Sequence, residues 1–217
     1  MMIDELTGAW LHKDSNEEQL LLFVDGYHTH TVYSKAGKRF VETMGGAYTI
    51  NSNQLHLTIE FNTVDNEQAG QPLNYNFVVT GDELTVDVNG KKMSYKKIDD
   101  GSAPLTGTWH ITSQMREGEL VPIHRTGTRK TLKILSGTRF QWVAIDTGTK
   151  EFFGTGGGVY EFMNGKYTEQ IEFFSRDGSR VGASLSFHGE LKNGEWHHSG
   201  LSSKGETIYE IWSRVLQ

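Results

Sequence analysis

The chain contains the same unit twice, and this repeat constrains its architecture more than any local pattern does. Residues 45–48 (GGAY) precede TINSNQLHLTIEF in the first half, and residues 156–160 (GGGVY) precede EFMNGKYTEQIEFF in the second. The tyrosine that ends each glycine run lies 12 positions before a glutamate, Glu60 in one copy and Glu172 in the other. We therefore expect two domains with one topology.

Matching ends define the unit. LTGAW at residues 6–10 corresponds to LTGTW at 105–109, and MSYKKI at 93–98 corresponds to EIWSRV at 210–215. Between the copies lies DDGSAP, whose turn-forming and helix-breaking residues suit a domain boundary. The predicted domains are 1–102 and 103–217.

The second copy carries an insertion. Trp10 lies 16 positions before Gly26, whereas Trp109 lies 28 positions before Gly137. About a dozen extra residues therefore form an inserted loop or hairpin at about 112–130, which we expect at one mouth of the second domain.

Within each copy, apolar residues alternate with polar ones, as in RFQWVAI and YEIWSR, and turn signals such as Asn164-Gly165 separate the runs. The 25 glycines and only three prolines suit many short strands joined by tight turns. The glycine run GTGGG lacks the Lys and Ser/Thr of a phosphate loop. About eight strands in roughly 100 residues leave two exposed edges unless the sheet closes. The predicted fold is all-β, with two consecutive antiparallel up-and-down β-barrels.

Each copy also combines a Gly-x-Trp on its first strand with a basic residue near the end of its last strand. This combination resembles the lipocalin and fatty-acid-binding (calycin) superfamily, and most closely the tandem lipocalin-like domains of bacterial proteins of uncharacterised function. The resemblance implies that a cation covers the tryptophan at the closed end of each barrel: Arg214 covers Trp109, and Lys97 covers Trp10. An arginine over an indole adds cation–π attraction of roughly 0.5 to 2 kcal/mol to apolar burial.

Alternation places seven candidate ligand-binding residues inside the second barrel: Phe140, Trp142, Tyr167, Glu169, His198, Glu210 and Trp212. The corresponding inward residues of the first barrel are predicted to be Thr29, Thr31, Leu55, Leu57 and Tyr95, because Gly26 aligns with Gly137, Tyr48 with Tyr160 and Tyr95 with Trp212. An apolar cavity with a few polar groups is typical of a small-molecule site. The sequence therefore favours binding of a small hydrophobic or amphipathic molecule in the second barrel, and the alternative is that these rings simply fill it, as in a structural or protein-interaction module.

The two glutamates leave a further choice open. A buried carboxylate must be paired, hydrogen-bonded or protonated. Tyr167, His198 or Arg214 would satisfy Glu169 and Glu210 internally, or the carboxylates would orient a ligand. A weaker alternative is an acid/base enzyme that uses one of them, although no catalytic motif is present.

Other classes find little support. The net charge of −6 and the absence of a basic cluster argue against nucleic acid as a partner. No cofactor and no metal is predicted: His28 and His30 form a His-x-His without a recognisable third ligand, and we expect them to face solvent. A haem-binding barrel would rest on the available histidines alone.

No apolar run is long enough to span a membrane. The absence of cysteine excludes disulfides without indicating a compartment. The stretch MMIDELTGAW contains no export signal. This predicts a cytoplasmic protein if the chain is complete as given and a periplasmic or secreted one if a signal was removed, and the oligomeric state stays open.

Overall fold

The chain forms two closed antiparallel barrels, which confirms the predicted fold class. The structure is a computed structural model that describes residues 4–123, 127–202 and 205–215. Eight strands close the first barrel in sequential order: β1 (Gly8–Lys13), β2 (Glu18–Val24), β3 (Tyr27–Ser34), β4 (Arg39–Asn51), β5 (Gln54–Asn62), β6 (Pro72–Thr80), β7 (Glu83–Val88) and β8 (Lys91–Asp99).

The second barrel has the same order with one additional strand. Its strands are β9 (Gly107–Arg116), β10 (Glu119–Pro122), β11 (Arg129–Leu135), β12 (Arg139–Asp146), β13 (Glu151–Met163), β14 (Lys166–Phe174), β15 (Ser184–Lys192), β16 (Glu195–Leu201) and β17 (Thr207–Arg214). Pairing of β9 with β17 closes this barrel, and β10 lies outside the ring as a hairpin partner of β9.

Among the residues that the structure describes, helical structure is limited to one short 3-10 turn in each barrel, at Asn66–Gln68 and Gly178–Arg180. Asp65 and Asp177 cap these turns through equivalent hydrogen bonds to the backbone N–H two residues later. Within the described part of the chain, no helix has the length and apolar character needed to cross a bilayer.

The inserted residues change how the second barrel closes. In the first barrel, β1 pairs with β2 along its full length, from Gly8 to Lys13. In the second, β9 pairs with β11 only from Gly107 to His110, because its upper half pairs with β10 instead. The upper part of β11 is thereby separated from β9. Residues 124–126 of the insertion lie outside the described residues.

The closed ends agree with the resemblance-based expectation. Arg214 lies with its guanidinium carbon 4.4 Å from the ring centre of Trp109, and Lys97 lies with Nζ 4.9 Å from that of Trp10. Each indole donates its N–H to a backbone carbonyl four residues earlier at 2.8 Å. The predicted cation–tryptophan pairs are therefore confirmed in both barrels.

One predicted alignment is wrong. In the structure, His28 pairs with Gly46 as Phe140 pairs with Gly158, so the histidines, and not Thr29 and Thr31, are equivalent to Phe140 and Trp142. The two hairpin glycines are not equivalent, and a slip of one residue transfers every side chain to the opposite face. His28 is buried and stacks on Phe23 of the first core, so the expectation that it faces solvent is also wrong.

Thr29 and Thr31 therefore point away from the lumen of the first barrel. This outer face takes part in the contact between the barrels. A single apolar cluster contains residues from both, including Leu20, Leu22 and Val24 of β2 and Leu132 and Ile134 of β11. Numerous polar contacts between the barrels accompany it, among them those of Glu172 with Tyr33 and Lys35. The Thr31 hydroxyl donates to the Gln141 side chain at 3.0 Å, and Lys130 pairs with Glu60 at 2.7 Å. The barrels therefore share a buried interface.

Candidate functional site

The lumen of the second barrel contains a cavity of about 870 Å³. It extends from the aromatic floor to the region where β11 has left β9, and Ile123, Gly127 and Thr131 line it at that opening. The volume lies within the range of roughly 300 to 1,000 Å³ that is typical of small-molecule pockets.

A depression of about 460 Å³ also lies where β1 meets β8 of the first barrel. Mostly polar residues at the rim of the barrel line it, and of its lining residues Tyr95 belongs to the buried cluster of the lumen. The lumen of the first barrel instead holds one apolar cluster, which includes Trp10, Phe23, Leu57 and Phe77.

Strand register identifies why the two lumens differ. Four titratable residues of the second barrel occupy positions that hold aliphatic residues in the first: Lys133, Glu169, His198 and Glu210 are equivalent to Leu21, Leu57, Val86 and Met93. The same backbone thus accommodates a fully apolar set, so the fold itself does not require these polar groups. We call these four residues the lumen cluster.

Lys133 lies at the centre of the lumen cluster. Its side chain is only 9% exposed, and its Nζ lies 5.1 to 5.4 Å from the ring centres of Trp196, Tyr167 and Trp212. Cation–π attraction to three rings stabilises the ammonium at this depth. Its nearest carboxylate oxygen is that of Glu169, at 3.9 Å, which exceeds hydrogen-bond distance. The ammonium therefore retains hydrogen-bonding capacity toward the cavity.

Glu169 is held by one neutral donor and one distant cation. The Tyr167 hydroxyl donates to its Oε2 at 3.1 Å. Burial raises the pKa of Glu169, and the Lys133 ammonium opposes this only in part. Among the carboxyl groups of the cavity, this one is the more readily protonated.

His198 and Glu210 form the second polar pair. Burial lowers the pKa of His198 to about 4, so the ring is neutral near pH 7. Its Nδ1 lies 3.4 Å from Glu210 Oε2, which also accepts the Trp212 indole N–H at 3.0 Å. Burial alone would raise the pKa of Glu210, but His198 and Lys133 outweigh it and hold this pKa below its usual value. The site therefore contains one carboxyl group of raised pKa and one of lowered pKa.

Above the lumen cluster the wall is apolar. Trp142 and Phe174 meet edge to face with ring centres 5.5 Å apart, and Ile171, Leu185 and Ile208 complete this level. Gly156 makes the arrangement possible, since a Cβ there would lie 2.6 Å from the Trp142 indole nitrogen and 2.8 Å from the Phe174 ring. The first barrel has Met44 at this position.

The mouth of the cavity is cationic. Arg116, Arg129, Lys130 and Arg180 line it. Lys130 pairs with Glu60 of the first barrel at 2.7 Å, and Arg180 lies 3.4 Å from Asp177. The guanidinium carbon of Arg129 lies 4.3 Å from the ring centre of Phe153, which supports its planar group, and Asp146 lies opposite it in the strand register.

The structure brings most of the predicted site residues together. Trp142, Glu169, His198, Glu210 and Trp212 line the cavity. The other two, Phe140 and Tyr167, are fully buried in the floor cluster and do not line it. Arg214, which was one expected partner of the two glutamates, instead contacts Trp109 and the Thr106 carbonyl at the closed end.

Sequence reasoning did not identify Lys133 or the cationic mouth. Lys133 has a detectable signal, because it shares the inward parity of Leu135 within the strand TLKIL. Arg116 and Arg129 lie in the inserted stretch 112–130, which was expected at one mouth of the domain, but their positive charges were not included in the prediction. Across residues 4–123, 127–202 and 205–215, no three or more His, Cys, Asp or Glu side chains are arranged to hold a metal ion.

Comparisons with known proteins do not identify a family. No protein-family model and no curated protein matches the chain. A search of solved structures returns, among others, a DNA polymerase III subunit beta (DnaN) sliding clamp from Bartonella birtlesii LL-WM9. It is 7% identical, with a TM-score of 0.15, over 98% of this chain and 78% of the clamp. A similarity at this level carries no argument about function.

Proposed function

We propose that the protein binds a small, partly apolar molecule in the lumen of its second barrel. The observation that carries this proposal is the replacement of four aliphatic residues by the lumen cluster at register-equivalent positions, beside a cavity of about 870 Å³. Burying titratable groups costs stability unless they are well paired, so their presence beside open space favours a role in ligand recognition.

The alternative of a structural module with filled barrels describes the first barrel better than the second. The first lumen holds one apolar cluster with apolar residues at the four register-equivalent positions, and its polar side chains, among them Gln19, His28 and His30, lie elsewhere and include no carboxylate–ammonium pair among the described residues. A purely structural second barrel would gain stability from the same aliphatic set. The cavity and the lumen cluster therefore support binding over this alternative.

Acid/base chemistry is a second candidate function, favoured by one observation. Glu169 and Glu210 line one cavity and have pKa values displaced in opposite directions. A carboxylic acid beside a carboxylate is the combination that proton transfer to and from a bound substrate uses. Binding is a precondition for this activity, so the binding test comes first.

The calycin resemblance remains part of the proposal. It is supported by the closed ends, where each barrel combines a Gly-x-Trp on its first strand with a cation from its last. In that superfamily the lumen is the ligand site, which agrees with the location that we propose here.

Native mass spectrometry of gently purified protein tests the binding proposal. We expect a stoichiometric adduct that is released on denaturation, or an adduct that forms on incubation with a mixture of lipids and metabolites. Lys133→Leu should abolish the adduct, because it removes the ammonium at the centre of the cavity.

A matched control separates loss of the site from loss of the fold. Lys92→Leu makes the same chemical change at an exposed strand position of the first barrel and should leave the adduct unchanged. If the wild-type protein remains at its bare mass under all these conditions, the filled-module alternative replaces our proposal.

A further inference from the structure

The charge around the cavity is opposite to that of the chain. The protein has a formal net charge of −6. The residues that line the cavity, however, include five cations and only two carboxylates, which are Arg116, Arg129, Lys130, Lys133 and Arg180 against Glu169 and Glu210, and of the five Lys130 directs its ammonium outward, to Glu60 of the first barrel. A concave site of one sign on a surface of the other sign attracts ions of the opposite charge. The site is therefore suited to an anionic ligand.

The excess of positive charge does not come from the deep end of the cavity. Lys133 is the only one of the five cations in the lumen cluster, and it faces both Glu169 and Glu210. An anionic group placed at this depth would meet two carboxyl groups and one ammonium. Electrostatics thus disfavours an anion at the floor and leaves this end to a neutral group that accepts a hydrogen bond from Lys133.

The mouth has the unbalanced charge. Lys130 and Arg180 already have carboxylate partners, Glu60 and Asp177. Arg129 lies on the Phe153 ring, which leaves the edge of its guanidinium available for hydrogen bonds. Arg116 contacts the side-chain amide of Gln114, which is a neutral partner. Arg116 and Arg129 lie opposite Glu119 and Asp146 in the strand register, but neither guanidinium forms an ion pair within 4.0 Å among the described residues.

An apolar level separates the two polar ends. Trp142 and Phe174 form one wall between the lumen cluster and the arginines, and Ile171 and Leu185 lie at the same level. A ligand that fills the cavity must therefore present an apolar body between its two ends. The opening between β9 and β11 gives its charged end access to solvent.

We infer that the ligand is an amphipathic anion, bound with its charged group beside Arg116 and Arg129 and its apolar body against Trp142 and Phe174. This inference rests on the proposed function and specifies the chemical class and the orientation of the ligand. The shared chemistry is an anionic oxygen group, carboxylate, sulfonate or phosphate, on an apolar skeleton.

Two fluorescent probes with one skeleton test the inference. Anilinonaphthalene sulfonate is an aromatic anion, and phenylnaphthylamine is the same skeleton without the sulfonate. We expect the wild-type protein to bind both, with the sulfonate bound about tenfold more tightly at low salt. Raising NaCl to about 0.5 M should remove most of that advantage, since exposed charge pairs are screened.

Arginine substitutions locate the charged end. In Arg116→Gln/Arg129→Gln, we expect the affinity for the sulfonate to fall about tenfold and the affinity for phenylnaphthylamine to stay unchanged. Arg116→Lys/Arg129→Lys should recover part of the sulfonate affinity because it keeps the charge. Arg39→Gln is the control, at an exposed arginine of the first barrel that pairs with Glu17. A series of alkyl carboxylates, sulfonates and phosphates that compete with the probe then distinguishes the three head groups.

The outcomes are separable from those of the binding test. Equal affinity for both probes in the wild-type protein, or an equal loss of both in the arginine double variant, would overturn the inference while leaving binding intact. Failure of both probes to bind, together with a bare mass in native mass spectrometry, would overturn the proposed function and this inference with it.

Discussion

The two barrels of this protein share strand order, closed ends and 3-10 turns, yet one lumen holds a packed apolar cluster and the other contains a cavity with four titratable residues at its base. Two local changes account for the difference. Four inward positions carry titratable residues, and the insertion takes the upper half of β9 away from β11. The comparison shows that the fold sets the positions, and that the residues at those positions decide between a core and a site.

The first barrel thus serves as an internal reference for the second. It shows which side chains the backbone accepts when a lumen has only to be filled. Substitutions that exchange residues between register-equivalent positions therefore test the comparison more sharply than alanine substitutions do, because each introduced side chain already fits one of the two barrels.

The largest effect should come from placing a second-barrel charge in the first barrel. Leu57→Glu places a carboxylate in an apolar cluster. No cation compensates it there, because the position equivalent to Lys133 is occupied by Leu21. We expect a loss of about 3 to 5 kcal/mol in the free energy of unfolding, the usual cost of an uncompensated buried charge. Urea unfolding measures it.

Leu57→Met is the matched control, since it keeps the volume and the apolar character and should cost less than about 1.5 kcal/mol. A Leu57→Glu protein as stable as the control would mean that the first lumen admits water. In that case the contrast between the barrels would be smaller than the structure indicates.

Acid should destabilise both barrels through buried histidines. Burial lowers the pKa of His28 and of His198 to about 4, below the ordinary 6.5. Between these values the unfolded state binds more protons, so stability is full above about pH 6.5 and falls as the pH drops toward 4. Each histidine should contribute on the order of 3 kcal/mol to that fall.

Substitutions that introduce the equivalent residue of the other barrel show how much each histidine contributes to the pH dependence of the free energy of unfolding. His28→Phe introduces the residue of the equivalent position in the second barrel, and His198→Val introduces that of the first. Each should flatten the fall of the unfolding free energy between pH 6.5 and 4, measured by urea unfolding at several pH values. His188→Gln, at an exposed strand position, should not; an unchanged slope in both exchange variants would show that other groups govern acid unfolding.

Converting the whole lumen cluster should separate stability from function. The variant Lys133→Leu/Glu169→Leu/His198→Val/Glu210→Met gives the second barrel the residues of the first. Replacing a buried ionic cluster with fitting apolar residues is neutral or stabilising by about 1 to 4 kcal/mol. We expect a folded protein of equal or higher stability that no longer forms the native adduct.

Circular dichroism and thermal unfolding check the fold, and native mass spectrometry checks the adduct. A converted protein that still retains the adduct would place the ligand outside the lumen cluster. A converted protein that fails to fold would show that these four residues are structural, which is the reverse of the proposed function.

The repeat and the alternation were sufficient to predict two closed barrels and the inward residues of the second lumen, whereas the cation–tryptophan pairs were expected from the calycin resemblance. The alignment of β3 in the first barrel was wrong because Gly26 was aligned with Gly137, although Asp25 is its structural equivalent, whereas Leu55, Leu57 and Tyr95 do lie in the first core as predicted. Turn glycines can shift by one position within a hairpin, and sequence spacing alone does not reveal on which side of the turn the glycine lies.

The interface between the barrels was not predicted either, although a signal exists. The run LLLFV in β2 is apolar at both parities, which indicates a strand buried on both faces. Which surface covers the outer face depends on the packing of two domains, and no local pattern contains that information. For the same reason the cavity could be proposed only as a location, since its volume depends on how far β11 separates from β9.

The smallest effects should come from the closed ends, where the barrels agree most closely. Arg214→Gln removes the cation from Trp109, the hydrogen bond to the Thr106 carbonyl and the contact with Asp25 of the first barrel. Lys97→Gln removes the cation over Trp10. We expect losses in the free energy of unfolding of about 2 kcal/mol for the arginine variant and about 0.5 to 1 kcal/mol for the lysine variant, in line with cation–π and charge-assisted hydrogen-bond energies.

Urea unfolding followed by tryptophan fluorescence measures both, and Arg214→Lys should lie between them because lysine keeps the charge but not the planar contact. Equal losses in the two variants would mean that the contact of Arg214 with the first barrel adds nothing, and that each closed end is stabilised by its own cation–tryptophan pair alone.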